Sequence, residues 1–307
     1  MQENVLEVKN LVKDYGSFRA VDGISFSVPR GRIIGFLGPN GAGKTTTIQV
    51  LLGITSHNGG SIRYFGKDFS AHRLECLQRV NAASAFNTLL GRITVMENLL
   101  VFADLYRVKN ARRKIADLLA QFEISELSSS LYQNLSAGQK TRVNLTKSLL
   151  NDPEILLMDE PTASLDPDIA DKTLSLIERL REERNLSILY TSHNMQEITR
   201  ICDEVIFLDH GRIVAHDSPQ NLVKRITAGT LRVTFASGGA HGIKQYLQQQ
   251  GQAYVFLDDK RVEMPTDESL IPELLFGLSH LGHQIVDIEI VKPTLEDVFL
   301  QIARTRV

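Results

Sequence analysis

The sequence predicts an α/β fold, a mostly parallel sheet with an antiparallel β edge and a helical subdomain, followed by a small α+β domain. The first observation is an alternation of helical patterns with short apolar runs, typical of a doubly wound sheet; the runs cover 155–158, 187–190 and 205–208. The second is a glycine-rich segment directly after an apolar run that ends at Leu37. The third is a change of pattern near residue 229, which predicts two domains, 1–228 and 229–307.

The N-terminal part of the first domain is predicted to form antiparallel strands. Residues 5–37 alternate apolar and polar side chains with a period of two, as half-buried strands do. Glycine, proline and small polar residues break the alternation at 14–17 and 29–31, where turns are expected. The last strand leads into the glycine-rich segment, and a helical run over 46–52 follows that segment.

The middle of the first domain is predicted to be mostly helical. Apolar residues recur there at three- and four-residue spacing, the period of a helix, over 97–106, 112–122 and 140–150. We therefore expect a helical subdomain over about 74–150. A further helix is expected at 169–184, between two strands of the parallel sheet.

The second domain is predicted to follow the order βαββαβ, which resembles the ferredoxin-like split arrangement. Strands are expected at 231–235, 253–257, 261–264 and 284–290. Helices are expected at 240–250, 268–280 and 294–304.

Composition narrows the classes of partner. The chain has 34 Lys and Arg against 36 Asp and Glu, a net charge of -2, so no broad basic field disposes it to bind nucleic acid. Its two cysteines lack the spacing of a zinc or disulfide framework. No apolar run approaches the ~18 residues of a membrane-spanning helix, so we expect an intracellular, soluble chain whose membrane role would require a partner.

The glycine-rich segment is predicted to bind the phosphates of a nucleotide. Its strand, loop and helix context is the one in which backbone N–H groups wrap the β- and γ-phosphates while a lysine reaches them. The alternative is an ordinary glycine-rich turn that caps a helix. The predicted phosphate-binding residues are Gly38, Asn40, Gly41, Ala42, Gly43, Lys44, Thr45 and Thr46.

Two carboxylates follow the apolar run 155–158. Asp159 is placed to hold Mg²⁺ through water, opposite the hydroxyl of Thr45, as the acidic residue after a buried strand does in nucleoside triphosphatases of this kind. Glu160 can serve as a general base for the attacking water. The alternative is a plain strand-end turn before Pro161.

The segment Leu135-Ser136-Ala137-Gly138-Gln139 resembles the signature motif of ATP-binding cassette (ABC) ATPases, with alanine where the family usually has glycine. Ser136 and Gln139 also fit a capping box that opens the helix over 140–150, and both interpretations can hold. The resemblance implies that this helix end contacts the γ-phosphate bound by an opposite subunit, and hence a homodimer with ATP and Mg²⁺ as its ligands.

Other residues match the same family in its own order. Ser164-Leu165-Asp166 resembles the loop that crosses the dimer interface, and His193 resembles the switch histidine, which can contact the leaving phosphate and orient Glu160. Tyr15 lies where the family stacks a ring on adenine. The structural alternatives are a strand-end tyrosine and a histidine without a catalytic role.

One family element is missing. The resemblance places a glutamine near Ala85 that would reach Mg²⁺ and relay the nucleotide state to a membrane partner, yet residues 80–90 contain none. Asn87 is an alternative amide there, plain loop structure is the other interpretation, and Gln78 lies too early. Neither Asn87 nor Gln78 is assigned as a ligand.

The C-terminal sequence from Val291 to Leu300 resembles the ending of ABC-2 type ATPases, which serve export permeases for drugs, polysaccharides or lipids. It also fits an ordinary amphipathic helix, and both interpretations can hold. The resemblance implies an ATPase held at the cytoplasmic face of the membrane by an ABC-2 type integral permease. Two other hypotheses are a soluble cassette ATPase acting on ribosomes or DNA, and a regulatory subunit that binds ATP but barely hydrolyses it. The single phosphate-binding segment and the lack of sustained heptads disfavour the first, and Glu160 disfavours the second.

Overall fold

In the computed structural model, which describes residues 3–84, 89–163, 165–224, 229–236 and 240–304, the chain folds into two compact units. The first unit is Met1–Pro219 and the second is Gln220–Val307. The division falls at the short helix α8, Pro219–Lys224, a little before the predicted boundary at residues 228 and 229.

The first unit contains ten strands and seven helices before α8, within the residues that the structure describes. The strands are β1 Asn4–Tyr15, β2 Phe18–Pro29, β3 Ile33–Leu37, β4 Gly59–Tyr64, β5 Lys67–Asp68, β6 Val80–Ser84, β7 Ile155–Asp159, β8 Ser187–Thr191, β9 Glu204–Asp209 and β10 Arg212–Asp217. The helices are α1 Lys44–Leu51, α2 Arg73–Gln78, α3 Val95–Leu105, α4 Ala111–Gln121, α5 Ala137–Ser148, α6 Pro167–Arg184 and α7 Met195–Ile201.

A six-stranded sheet in the order β10-β9-β3-β8-β7-β6 forms the centre of this unit. All neighbouring strands are parallel except the edge pair β9 and β10. Every residue of β3 and β8 is buried, which explains why these strands are continuous apolar runs rather than alternating ones. The predicted α/β architecture is confirmed.

A second, antiparallel sheet has the order β2-β1-β4-β5. Buried residues alternate with exposed ones along much of β1 and β2, as the period-two pattern predicts. One apolar cluster joins the inner faces of both sheets to α1, with Leu6, Ile24, Phe36, Ile48 and Leu157 among its members. The helix that follows the glycine-rich segment is therefore fixed by the core of the unit.

The predicted helical subdomain differs from the structure at residues 80–84. This stretch forms β6, which pairs in parallel with β7 from Val80↔Ile155 to Ser84↔Asp159. Val80 and Ala83 are buried, and the run is too short to have a helical period of its own. Residues 80–84 form a strand because pairing with the edge of β7 satisfies their backbone N–H and C=O groups.

The second unit has the predicted βαββαβ order and one further helix. Its elements are β11 Gly229–Phe235, α9 Ala240–Gln249, β12 Val255–Phe256, β13 Arg261–Thr266, α10 Ile271–Ser279, β14 Ile285–Val291 and α11 Leu295–Arg304. The sheet is antiparallel throughout, in the order β12-β13-β11-β14 expected of a ferredoxin-like split. Leu231, Val233 and Val262 of the sheet form its core with Leu247 of α9 and Leu278 of α10.

In the part of the chain that the structure describes, no helix combines the length and apolar character needed to span a membrane. Residues 85–88, which include Asn87, and Ser164 lie outside the described residues.

Candidate functional site

The loop between β3 and α1 is shaped by glycines that no other residue could replace without strain. Gly41 and Gly43 have φ angles of 82° and 102°, in the left-handed region that favours glycine. A Cβ atom on Gly43 would lie 2.5 Å from the carbonyl oxygen of Ala20 in β2, and one on Gly38 would lie 2.2 Å from that of Leu208 in β9. The loop thus passes so close to neighbouring backbone that only glycine fits, as a backbone phosphate cradle requires.

A tight turn connects this cradle to the antiparallel sheet. The turn between β9 and β10 consists of His210 and Gly211, both with positive φ, as two-residue hairpins favour. The Gly211 N–H donates to the carbonyl of Ala42 (3.1 Å), and the Gly211 carbonyl accepts from the N–H of Asp22 (2.8 Å). A Cβ on Gly211 would also approach Ala20 O to 2.8 Å. The turn therefore joins the cradle to β2 by main-chain contacts.

Lys44, the first residue of α1, directs its ammonium group back to the cradle. Its Nζ donates to the carbonyls of Gly38 (2.6 Å) and Pro39 (3.2 Å), and the residue is 7% exposed. Burial lowers the pKa of Lys44, whereas the nearby charges of Glu160 and Asp159 act in the opposite direction. A cation held at a loop of backbone N–H groups suits the phosphates of a nucleotide.

The two predicted acidic residues lie where β7 ends, beside the cradle. Asp159 Oδ1 accepts a hydrogen bond from the hydroxyl of Thr191 (2.7 Å) and lies 3.4 Å from the hydroxyl of Thr45. A carboxylate and a hydroxyl at this separation offer the hard oxygen ligands that Mg²⁺ prefers while leaving room for its waters. Thr45 and Asp159 therefore fit a magnesium ion bound with a nucleotide.

Glu160 and His193 face each other across the ends of β7 and β8. His193 Nδ1 lies 2.6 Å from Glu160 Oε2; an ionised carboxylate only accepts, so the Nδ1 atom carries the proton of this bond. Glu160 has a φ of 51°, uncommon for a side chain other than glycine, and its N–H donates to Thr191 O and Oγ1, both at 3.1 Å. Glu160, the candidate general base, is thus held in a strained backbone conformation that hydrogen bonds stabilise.

Tyr15 closes the other end of the site. It is the last residue of β1, pairs with Phe18 across the β1–β2 turn, and is 46% exposed. The Lys13 ammonium lies 4.8 Å from the centre of its ring. An exposed aromatic hairpin of this kind can stack on a planar base.

A single cleft of about 620 Å³ brings most of the predicted residues together. It is lined by Tyr15, Phe18, Ala20, the segment 38–46, Glu160, Ala163 and His193. Every residue predicted for the glycine-rich phosphate cradle is in that segment. The cleft runs from the aromatic hairpin to the cradle and the Glu160–His193 pair, which is the layout that a nucleoside triphosphate requires.

The signature residues do not line this cleft. Ser136 is the N-cap of α5: its hydroxyl accepts from the N–H of Gln139 (3.3 Å), and its own N–H donates to Gln139 Oε1 (2.9 Å). The predicted capping box is therefore present. A Cβ on Gly138 would lie 2.6 Å from Cγ2 of Ile169 in α6, and Asp166 is the N-cap of that helix. The phosphate role of these residues stays a prediction.

Sequence reasoning missed two residues of the site. Thr191 is fully buried and bridges Asp159 to the backbone of Glu160, but it is an ordinary strand-end threonine in the sequence. Its position just before Ser192 and His193 was the available signal. Phe18, the partner of Tyr15, was identifiable as the first residue after the predicted turn at 14–17.

The cradle follows the buried strand β3, and the Asp159-Glu160 pair lies at the end of β7, two strands away in the same sheet. This arrangement defines a phosphate-loop nucleoside triphosphatase. Residues 21–163 match the family described as ABC transporter. The chain is 39% identical over 224 residues to the Nod factor export ATP-binding protein I of Ralstonia nicotianae, covering 71% of this chain and 68% of that protein.

Two further relatives extend the likeness. The linearmycin resistance ATP-binding protein LnrL of Bacillus subtilis is 28% identical over 309 residues, 97% of this chain and 98% of its own. The crystal structure of an ATP-binding cassette of an ABC transporter in its ADP conformation is 25% identical, with a TM-score of 0.64 over 73% of this chain and 94% of that one. The chain therefore belongs to the ABC transporter family, as an ATP-binding ATPase.

Proposed function

We propose that this chain is the ATP-hydrolysing subunit of an ABC-2 type exporter, in which two copies close on two ATP molecules and drive a membrane permease. The names of its relatives support export: one is a Nod factor export ATP-binding protein and another a linearmycin resistance ATP-binding protein. The second of these matches nearly the whole chain, so the likeness includes the second unit. The C-terminal sequence 291–300 favours the ABC-2 type.

One observation carries the proposal of a homodimer. The cleft contains the cradle and the Glu160–His193 pair, but Ser136 and Gly138 lie outside the residues that line it. The N-terminus of α5 nonetheless has the first-turn N–H groups and the serine hydroxyl of an anion site. A second copy of the chain would bring this helix end to the γ-phosphate, and Asp166 to the interface.

Within each copy, the cradle binds and orients the triphosphate. Lys44 moves from the Gly38 and Pro39 carbonyls to the β- and γ-phosphates, where its charge offsets theirs. Thr45 and, through water, Asp159 would hold Mg²⁺, which would neutralise further phosphate charge. Tyr15 stacks on the base, which adds affinity without reading its identity.

Hydrolysis is assigned to Glu160 and His193. Glu160 takes the proton of the attacking water, and His193 keeps the carboxylate oriented and contacts the γ-phosphate. Their separation of 2.6 Å supports an enzyme over a regulatory subunit that only binds ATP, because a base so oriented has no role in binding alone.

The permease partner is proposed to hold the chain at the cytoplasmic face of the membrane. Residues 85–98 are the segment that would transmit the nucleotide state, since ATP and ADP can shift a two-state element only if they contact it differently. The described part of this segment is fixed on α3 by Asn98, whose side chain accepts from the Leu90 N–H and donates to the Leu90 carbonyl, both at 2.9 Å. This attachment of residue 90 to α3 does not involve the glutamine that the family usually has in this segment.

Glu160→Gln tests the proposal. The amide keeps the shape of the side chain but cannot take a proton, so ATP affinity should persist while turnover falls at least about 100-fold. ATP and Mg²⁺ should then trap a dimer, seen by size-exclusion chromatography. Glu204→Gln is the matched control, because Glu204 pairs with His216 at the start of β9 and does not line the cleft.

The control should keep its turnover and form no trapped dimer. Adding Lys44→Ala to Glu160→Gln should abolish the trapped dimer, because the cradle then lacks the charge that faces the phosphates. A monomeric Glu160→Gln variant with wild-type turnover would refute the assignment of the base.

A further inference from the structure

Glu197, in the first turn of α7, is a buried carboxylate outside the residues assigned to catalysis. The residue is 7% exposed. Its Oε2 atom accepts hydrogen bonds from three hydroxyls: Thr162 (2.8 Å), Tyr190 (2.9 Å) and Ser192 (2.9 Å). Burying an ionised carboxylate is costly unless hydrogen bonds compensate, and bonds from hydroxyls to a charged oxygen are the strong kind.

Two of the three hydroxyls belong to the segments that carry Glu160 and His193, and the third lies between these segments. Thr162 lies in the turn after β7, two residues beyond Glu160, and Ser192 directly precedes His193. Tyr190 of β8 lies between the two segments, with its hydroxyl 3.3 Å from that of Thr162. The Oε2 atom of Glu197 therefore connects the turn that carries Glu160 to the loop that carries His193.

Asn194 extends this connection to the start of α7. Its side chain accepts from the N–H of Gln196 (3.0 Å) and of Glu197 (3.4 Å), and its own N–H donates to Ser192 Oγ (3.0 Å). The loop of His193 is thus attached on both sides. The His193 side chain itself is 69% exposed, so its position depends on this backbone attachment and on its contact with Glu160.

We propose that Glu197 is a positioning residue for ATP hydrolysis, whose buried carboxylate holds the turn of Glu160 and the loop of His193 at their contact distance. The inference rests on the proposed catalytic roles of Glu160 and His193. A fully satisfied buried network has one preferred geometry, and a displacement of about 1 Å in a catalytic group can cost about 100-fold in rate.

The test is a double-mutant cycle of Glu197→Gln and His193→Ala, measured as kcat and KM for ATP of the full chain. Glu197→Gln should lower kcat about 10- to 100-fold with KM changed less than about threefold, because the cradle is untouched. In the His193→Ala background the same substitution should lower kcat less than about threefold, because the contact between Glu160 and His193 that Glu197 maintains is then already lost. A merely structural role would lower kcat equally in both backgrounds.

Two further variants keep the inference falsifiable if Glu197→Gln folds poorly. Tyr190→Phe removes one hydroxyl from the network and keeps the buried ring, and it should lower kcat without changing KM. Thr173→Val is the matched control, because that buried hydroxyl donates to the Ile169 carbonyl of its own helix and has no other partner among the described residues. It should leave kcat unchanged.

Wild-type kcat in both Glu197→Gln and Tyr190→Phe, or equal losses with and without His193, would overturn the inference. The proposed function would survive either result provided that Glu160→Gln still abolishes turnover. Wild-type turnover in Glu160→Gln would instead overturn the catalytic assignment itself.

Discussion

Lys147 is a cation in α5 that the fold buries to 8% exposure. Its Nζ donates to the carbonyl of Ala82 in β6 (3.1 Å) and lies 5.4 Å from the centre of the Phe102 ring in α3. Burial lowers the pKa of Lys147 from 10.5 to about 8. The Lys147 side chain therefore connects α5, β6 and α3, at the free-energy cost of removing its charge from water.

This burial predicts a pH-dependent stability. Between pH 8 and 10.5 the unfolded chain holds the Lys147 proton while the folded chain has released it, so the free energy of unfolding rises with pH in this window. The wild-type value minus that of Lys147→Met should increase by about 2 kcal/mol from pH 7.5 to pH 9.5. Urea unfolding at both pH values measures it.

Lys109→Met, in an exposed loop, controls for the loss of one positive charge. A difference between wild type and Lys147→Met that does not change with pH would contradict the burial of this charge.

At the scale of residues, the sequence predicts the cradle and the Asp159–Glu160 pair because each is a local pattern with a fixed spacing. It cannot predict the bridge through Thr191, or the contact of Thr162 with Glu197, since these contacts exist only when β7 and β8 lie side by side. The φ of 51° at Glu160 is hidden for the same reason.

At the scale of elements, α5 shows how one helix start can have two roles. Ser136 caps the helix through its hydroxyl, and the same hydroxyl is proposed to face a phosphate of the second copy. Gly138 packs closely on Ile169, so we expect the start of α5 and the first turn of α6 to stay in contact. The Ser136 and Asp166 ends of these two helices would therefore move together.

Ser136→Asp separates the two roles. Aspartate caps a helix as well as serine does, so the free energy of unfolding should be unchanged, whereas its charge would repel a phosphate and lower turnover at least about tenfold. Ser136→Ala, the comparison variant, should lose about 1 kcal/mol of unfolding free energy with the cap. Urea unfolding and ATPase rates measure both. Wild-type turnover in Ser136→Asp would argue that this helix end never meets a phosphate.

The sequence predicts most elements because their periods are clear, with the helices α3, α4 and α5 starting and ending within three residues of the expected bounds. It does not predict β6, because the five residues of Val80–Ser84 are identified as a strand only by the free edge of β7. Nor does it predict β10, whose pairing depends on the His210-Gly211 turn.

In the molecule as a whole, the residues of the candidate nucleotide site belong to one of the two units. All residues that line the cleft lie at or before His193, within Met1–Pro219, and the second unit has a core of its own. The pattern change near residue 229 predicts this separation from the sequence, because the period and order of elements differ on either side.

A truncated chain of residues 1–228 should therefore bind ATP within about threefold of the full-length affinity, since its cleft and core are complete. Tagged and purified from detergent-solubilised membranes, both chains should recover the same integral membrane protein, because residues 85–98 are in the first unit. Isothermal titration and mass spectrometry make the two measurements.

Residues 229–307 alone are the control and should bind no ATP. If the folded truncated chain loses ATP binding, the assignment of the site to one unit is refuted. If the full-length chain recovers no integral protein, the permease proposal fails and a soluble role is favoured.

The contacts of Gly43 and Gly211 with the Ala20 carbonyl have a consequence for ligand selection. They hold β2, the strand that pairs with the strand of Tyr15, against the glycine loop through main-chain atoms. We therefore expect substitutions in the β1–β2 hairpin to change the affinity for the nucleobase without changing the length of the pocket. Base preference should thus respond to side-chain substitutions at Tyr15, and the accepted length of polyphosphate should depend on these main-chain contacts.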